Sequence, residues 1–138
     1  MDYRVWALFS ALSAGATAVL AKKGVEEVPT NLALAVRVAF VFLFASLIAV
    51  ATRQTRLGDI SPRGWGFLAA SAVGTGVSWL CYFRALSLGS VSKVAPIDKL
   101  SFVIAVLLGL ILFREKMTWQ LGAGTALIAA GVLLTLKG

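Results

Sequence analysis

The chain has 138 residues, of which 59% are apolar and only 14% charged, and its mean hydropathy is +0.91. Soluble domains carry about a quarter charged residues, so this composition excludes an ordinary soluble domain. The net charge of +7 does not indicate nucleic-acid binding, because the basic residues lie mostly between apolar runs. The chain lacks histidine and has one cysteine, Cys81, which excludes a histidine-based zinc site and an internal disulfide. We therefore predict no cofactor and no bound metal.

Five apolar runs follow one another along the chain, each close to the ~20 residues that cross a bilayer core. The joints between them are short and polar, so neighbouring spans are predicted to run antiparallel with no room for a soluble domain. The sequence thus predicts an all-α fold: a multi-pass protein of the cell (inner) membrane, with a bundle of five transmembrane helices forming one domain over residues 1–138. The predicted spans cover residues 5–21, 31–51, 65–86, 92–113 and 119–136.

Lysines and arginines at the span ends are divided almost equally between the two membrane faces. An odd number of spans puts the termini on opposite faces, and the face of the N-terminus (face A) has six basic residues against five on face B. The positive-inside rule needs an excess on one side, so this distribution favours dual topology, in which copies insert both ways up. A single orientation set by a few residues near the first span is the alternative. Face A has Arg4, Arg53, Arg56, Arg63, Arg114 and Lys116, and face B has Lys22, Lys23, Arg84, Lys93 and Lys137.

Three of the four tryptophans open apolar runs. Trp6, Trp65 and Trp119 begin the first, third and fifth runs, which places all three at face A, as in an aromatic belt. Trp79 lies inside the third run, where it either lines a cavity or packs against a neighbour.

Small residues at four-residue spacing recur in the fifth run, at Gly122, Ala126 and Ala130. Small faces let membrane helices approach each other closely. We predict this face as the dimer interface, with packing inside one subunit as the alternative.

Three charged residues fall inside the predicted spans: Arg37, Asp98 and Lys99. Arg37 and Asp98 each lie six residues inside face B, which is roughly 9 Å at the helical rise. Their matching depth makes an Arg37–Asp98 pair possible. Asp98 and Lys99 are adjacent on a helix and are not expected to pair with each other. Because charges within a membrane are costly, all three are candidate functional residues.

Pro96 lies two residues before Asp98. A proline inside a helix removes a backbone hydrogen bond, so the fourth span either kinks here or begins at Pro96. In the second case Asp98 falls in the first helical turn, where the helix dipole favours an anion. Broken helices at membrane depth mark binding sites in transporters. The alternative is a helix start facing headgroups, with Lys99 reaching the interface.

Short motifs follow one another in the last two thirds of the chain: Tyr82–Leu86, Val94–Pro96, Phe113–Thr118, Leu121–Gly122 and Ala130–Val132. Their order resembles the EamA repeat of the drug/metabolite transporter superfamily. Arg37 and the Lys22-Lys23 end of the first span fit the same repeat. Most such proteins have ten spans in two inverted halves, and this chain is similar to one half, as in single-repeat members.

The resemblance implies a transporter of small metabolites or drugs that works by alternating access, as an antiparallel homodimer with two inverted copies. The expected substrate site is lined by Arg37, Asp98, Lys99, Trp79 and Tyr82. Its net positive charge favours an anionic or zwitterionic small molecule. The glutamate that small multidrug exporters use in their first span has no counterpart here, because residues 5–21 contain no acid.

The alternative function is an accessory or flippase subunit of a hetero-oligomeric membrane complex, without transport activity of its own. An enzyme is not predicted, because no span holds paired acids, a metal-ligand set or a nucleophile with its base. The expected partners are the bilayer, a second copy of the chain and the small-molecule substrate, with no nucleic acid.

Overall fold

The computed structural model describes residues 2–137, and within that range its regular structure is entirely helical. Met1 and Gly138, the end residues of the predicted domain, lie outside it. A short 3₁₀ turn, Leu57–Asp59, lies between the second and third helices. The α-helices are α1 (Tyr3–Glu27), α2 (Thr30–Ala51), α3 (Pro62–Leu88), α4 (Val91–Asp98), α5 (Leu100–Leu112) and α6 (Trp119–Lys137).

The all-α prediction and the five spans are confirmed. Five helical segments within residues 2–137 are long and apolar enough to cross a membrane, and α4 with α5 forms one of them. At most 11% of any span is buried inside the chain. Large apolar side chains such as Phe40 (69% exposed) and Phe67 (78% exposed) therefore lie on the outside. Such a surface is stable in lipid, where exposed apolar groups carry no cost.

The first span continues beyond its predicted end. Lys22 and Lys23 were predicted to begin a polar joint, but α1 runs on to Glu27, and only Val28 and Pro29 separate it from α2. Proline at this position fits a helix boundary, since its ring is accepted just before or at the first turn but not in the interior. The lysines are therefore held in helical geometry at the end of α1.

Contacts divide the chain into two compact units, and the division falls within α1. The first unit, Val19–Leu88, comprises the end of α1 together with α2 and α3, and α2 packs against α3. The second unit contains the described residues before Val19 and after Leu88, and there α6 packs against both α4 and α5. The single five-helix domain remains a prediction.

Candidate functional site

The guanidinium of Arg37, on α2, lies over two aromatic rings of α3. Its central carbon lies 4.7 Å from the centroid of the Trp79 ring and 5.3 Å from that of Phe83. Both distances are within the range of a cation–π interaction. The two rings are four residues apart and so lie on the same face of α3, which places both beside α2. Trp79 therefore packs against a charge, and its role in lining a cavity stays a prediction.

The cation–π contacts do not satisfy the hydrogen-bonding capacity of Arg37. The guanidinium has five N–H donors in a planar fork, and a ring offers them no lone-pair acceptor. Within the Val19–Leu88 unit, no hydrogen bond or ion pair engages these donors. Phe83 is only 2% exposed and Arg37 is half-buried, so the cation sits on a fixed platform. We call Arg37, Trp79 and Phe83 the arginine platform.

Lys22 makes the next polar contact along the same face of α3. Its ammonium donates a hydrogen bond of 2.8 Å to the carbonyl oxygen of Leu86 and lies 3.6 Å from a carboxylate oxygen of Glu26. Leu86 lies in the last turn of α3, where carbonyls have no helical partner. The lysine thus satisfies a buried carbonyl and ties the end of α1 to the end of α3. The Lys22 ammonium thus has a hydrogen-bond acceptor and an ion-pair partner, whereas Arg37 has neither within the Val19–Leu88 unit.

The second charged region is the break between α4 and α5. Helix α4 passes through Pro96 and ends at Asp98, and the chain changes to tighter hydrogen bonding, from the Lys99 amide to the Pro96 carbonyl and from the Phe102 amide to the Lys99 carbonyl, each 3.0 Å. The side-chain hydroxyl of Ser101 donates to the Asp98 carbonyl at 2.7 Å. Of the two alternatives for Pro96, the structure excludes a helix start there, and Asp98 lies in the last turn of α4 and not in a first turn.

Asp98 and Lys99 form an ion pair, contrary to the expectation that adjacent residues would not meet. The lysine nitrogen lies 3.6 Å from a carboxylate oxygen. Two causes combine: the ladder breaks at Lys99, and the long lysine side chain can fold back. Asp98 ends α4, where the helix dipole disfavours an anion, and the neighbouring cation offsets this. The side chains are 37% and 58% exposed, for Asp98 and Lys99 respectively.

The predicted site residues thus fall into two groups. Arg37 and Trp79 meet in the Val19–Leu88 unit, and Asp98 and Lys99 meet in the other unit. The Arg37–Asp98 pair stays a prediction, because its members belong to different units. Tyr82 is half-buried on α3, one position before Phe83.

Two residues of the arrangement were not identified from the sequence as site residues. Phe83 follows Trp79 by one helical turn, and this four-residue aromatic spacing was a usable signal. Lys22 was assigned to a solvated joint. Its hydrogen-bond acceptor is the backbone carbonyl of Leu86, and no pattern of side chains predicts such an acceptor.

The predicted dimer face of α6 has one half-buried and two exposed members. Gly122 is half-buried near the sulfur of Met117, which would lie 3.6 Å from an added Cβ. Ala126 and Ala130 are exposed, whereas Val132 on another side of the helix is 2% exposed. Among the described residues, none covers the Ala126 and Ala130 part of this face. Its role in dimerisation stays a prediction.

Five apolar helices with most of their surface outward, and with charged groups held inside two of the spans, define a multi-pass membrane protein. The sequence matches the EamA-like transporter family over residues 3–137, so the chain belongs to that family. Its five spans correspond to a single EamA repeat, as the motifs predicted.

Two named relatives support the membership. A Sinorhizobium protein called "uncharacterized transporter in cobO 3'region" is 43% identical over 134 residues, covering 96% of this chain and 95% of the relative. A protein of Enterobacter sp. (strain 638), the "probable 4-amino-4-deoxy-L-arabinose-phosphoundecaprenol flippase subunit ArnE", is 29% identical over 96 residues, covering 67% of this chain and 90% of the relative. No solved structure gives a significant match.

Proposed function

We propose that the protein transports small metabolites or drugs across the cell (inner) membrane by alternating access, as an antiparallel homodimer. One observation carries this proposal: the family match covers one five-span repeat. The resemblance implies that most such transporters combine two inverted halves. A second copy inserted the other way up supplies the missing half.

The charge distribution supports insertion in both directions. The basic residues that the sequence assigns to the two faces lie at or near the helix ends, with six assigned to face A and five to face B. An excess of one charge gives little preference for either orientation. The exposed Ala126 and Ala130 on α6 offer small side chains where the second copy approaches closely.

The proposed substrate-binding residues are Arg37, Trp79 and Tyr82 in the Val19–Leu88 unit, and Asp98 and Lys99 in the other unit. The cations outnumber the acid, which favours an anionic or zwitterionic substrate. In an antiparallel pair the two sites face opposite sides of the membrane. Rocking of one copy against the other exposes a shared cavity to each side in turn.

The test has an orientation arm and a transport arm. Reporters fused to the C-terminus are expected to give both cytoplasmic and external signals. Purified protein is screened with anionic and zwitterionic metabolites for ligand-induced thermal shifts, and each hit is then applied to proteoliposomes while currents are measured. Dual signals with substrate-dependent currents support the proposal. A single orientation, or no current from the protein alone for any hit, contradicts it.

A cross-linking arm tests the dimer face. In a background with Cys81 replaced by serine, cysteines at Ala126 and Ala130 are expected to form disulfide-linked dimers under mild oxidation. Cysteine at Val132, which is 2% exposed, is the matched control on the same helix. Equal cross-linking at all three positions, or none, contradicts the α6 interface.

The second candidate is a flippase or accessory subunit that needs a different partner chain. The similarity to a protein named as an ArnE flippase subunit favours it. This candidate predicts a single orientation and no currents until the partner is added. The orientation and transport arms therefore separate the two functions.

A further inference from the structure

The Arg37 guanidinium lies over the rings of Trp79 and Phe83, and no hydrogen bond or ion pair engages its N–H donors within the Val19–Leu88 unit. Arg37 is half-buried and lies inside a membrane-spanning helix, where hydrogen bonds left unmade by a charged group cost more than those left unmade by a neutral one. The donors therefore require acceptors that these residues do not supply.

The depth of Arg37 strengthens this requirement. It lies seven residues beyond the start of α2 at Thr30, which is about 10 Å along the helix. A guanidinium within a span is costly unless it is paired or reaches water. The acids of the same unit do not serve it: Glu26 lies 3.6 Å from both Lys22 and Lys23, and neither Glu27 nor Asp59 forms an ion pair with it.

We infer that Arg37, placed over the rings of Trp79 and Phe83, is a receptor for an oxyanion group, a carboxylate or a phosphate. The guanidinium presents donors in a fork that matches two oxygens of such a group at once. Chloride has no second atom for the fork. Because Phe83 is buried and the rings are one helical turn apart, the fork is oriented before the anion arrives.

Lys22 does not form part of the receptor. It lies beside the next turn of α3, but its ammonium is already bound to the Leu86 carbonyl and paired with Glu26. Of these two cations, only Arg37 lacks a hydrogen-bond or ion-pair partner within the Val19–Leu88 unit, so the receptor suits a single oxyanion group better than a polyphosphate. This inference rests on the proposed function in one respect, namely that the oxyanion is the charged group of the substrate.

The experiment uses Trp79 as its own reporter. Phenylalanine replaces Trp6, Trp65 and Trp119, so the emission of the purified protein comes from Trp79 alone. Sodium phosphate and sodium acetate are titrated at constant ionic strength, with sodium chloride as the reference anion. We expect a saturable change in emission with phosphate and acetate and none with chloride. An equal response to chloride would overturn the inference, because it would show a general ionic effect.

Variants at Arg37 identify the group that responds. R37Q is expected to abolish the saturable change, and R37K, which keeps the charge without the fork, to weaken apparent affinity at least about tenfold. R84Q removes the same charge from an exposed position on α3 and should titrate as the parent does. Gel filtration of the parent, R37Q and R37K under the same conditions checks that all three fold alike. Unchanged titration of R37Q or R37K would overturn the inference.

A lipid arm distinguishes the two sources of a phosphate. The same titration is run in nanodiscs of phosphatidylcholine with and without phosphatidic acid. If a lipid headgroup occupies the receptor, the emission is already shifted in the phosphatidic acid discs and added phosphate changes it no further. If a free solute occupies it, both disc types titrate alike. Both results keep the oxyanion receptor.

Binding is measured here without a gradient, so its failure is separate from failure of transport. Loss of saturable binding in protein that still carries substrate currents would remove the receptor and leave the proposed function standing. Saturable binding in protein that carries no substrate current would keep the receptor and remove the proposed transport function.

Discussion

The two charged regions solve the same problem in different ways. At the arginine platform the charge lies over two aromatic rings and its donors have no acceptor within the Val19–Leu88 unit, whereas at the α4–α5 break Asp98 and Lys99 neutralise each other at 3.6 Å. A charge that is already paired has less to gain from a ligand than a guanidinium whose unit supplies no acceptor. The comparison teaches that charge inside a span is not enough to identify a binding residue. What matters is whether the chain itself satisfies the charge.

The largest expected effect is at Arg37. R37Q should reduce substrate currents in proteoliposomes at least about thirtyfold, because truncating one partner of a desolvated charge contact costs about 2 kcal/mol or more. R37K should retain part of the current, and R84Q should resemble the parent protein. Equal losses in R37Q and R84Q would show that net charge, and not the platform, matters.

The platform itself is tested through stability. Phe83 is 2% exposed, so F83A should lower the free energy of unfolding in mixed detergent micelles by about 3 kcal/mol. F67A, at a side chain 78% exposed on the same helix, is the matched control and should change it by less than about 0.5 kcal/mol. A small effect of F83A would mean that the ring is replaceable and that the guanidinium is not rigidly held.

Lys22 provides an intermediate case, a cation satisfied by a backbone carbonyl. K22Q should lower the free energy of unfolding by about 1–3 kcal/mol, since it weakens the contact with a buried carbonyl. K23Q, at a side chain 79% exposed, is expected to cost less than about 0.5 kcal/mol. If K22Q and K23Q lower the free energy of unfolding equally, the hydrogen bond between Lys22 and the Leu86 carbonyl makes no measurable contribution to stability.

The smallest effect is expected at the self-neutralised pair. A double-mutant cycle with D98N, K99Q and the double variant should give a coupling of at most about 1 kcal/mol, because both side chains are partly exposed. Unfolding in mixed micelles measures it. The current of D98N measured beside that of R37Q sharpens the comparison directly: a larger loss in D98N would move the centre of the site from the platform to the break.

Much of the fold was predictable because hydropathy and helix length are local properties. The five spans and the all-α fold required only runs of apolar residues between short joints, and the order of motifs such as Val94–Pro96 identified the family. The end of α1 was missed for a physical reason. Hydropathy falls at Lys22, but the helix continues because the Leu86 carbonyl satisfies that charge.

The sequence identified residues of the candidate site but not the contacts between them. Arg37 and Trp79 were identified as charged and aromatic residues inside spans, but their stacking depends on how α2 and α3 are rotated against each other. The pairing of Asp98 with Lys99 was missed, because regular helical geometry sends adjacent side chains apart and a break in the ladder does not.

The sequence by itself determined that this is a five-span, all-α membrane protein of the EamA-like transporter family, since lipid requires apolar helices of bilayer length and local motifs identify the repeat. Only the tertiary structure decided which charges are satisfied. That outcome depends on contacts between residues far apart in the chain, such as Lys22 with Leu86 and Arg37 with Phe83, and no local pattern encodes them.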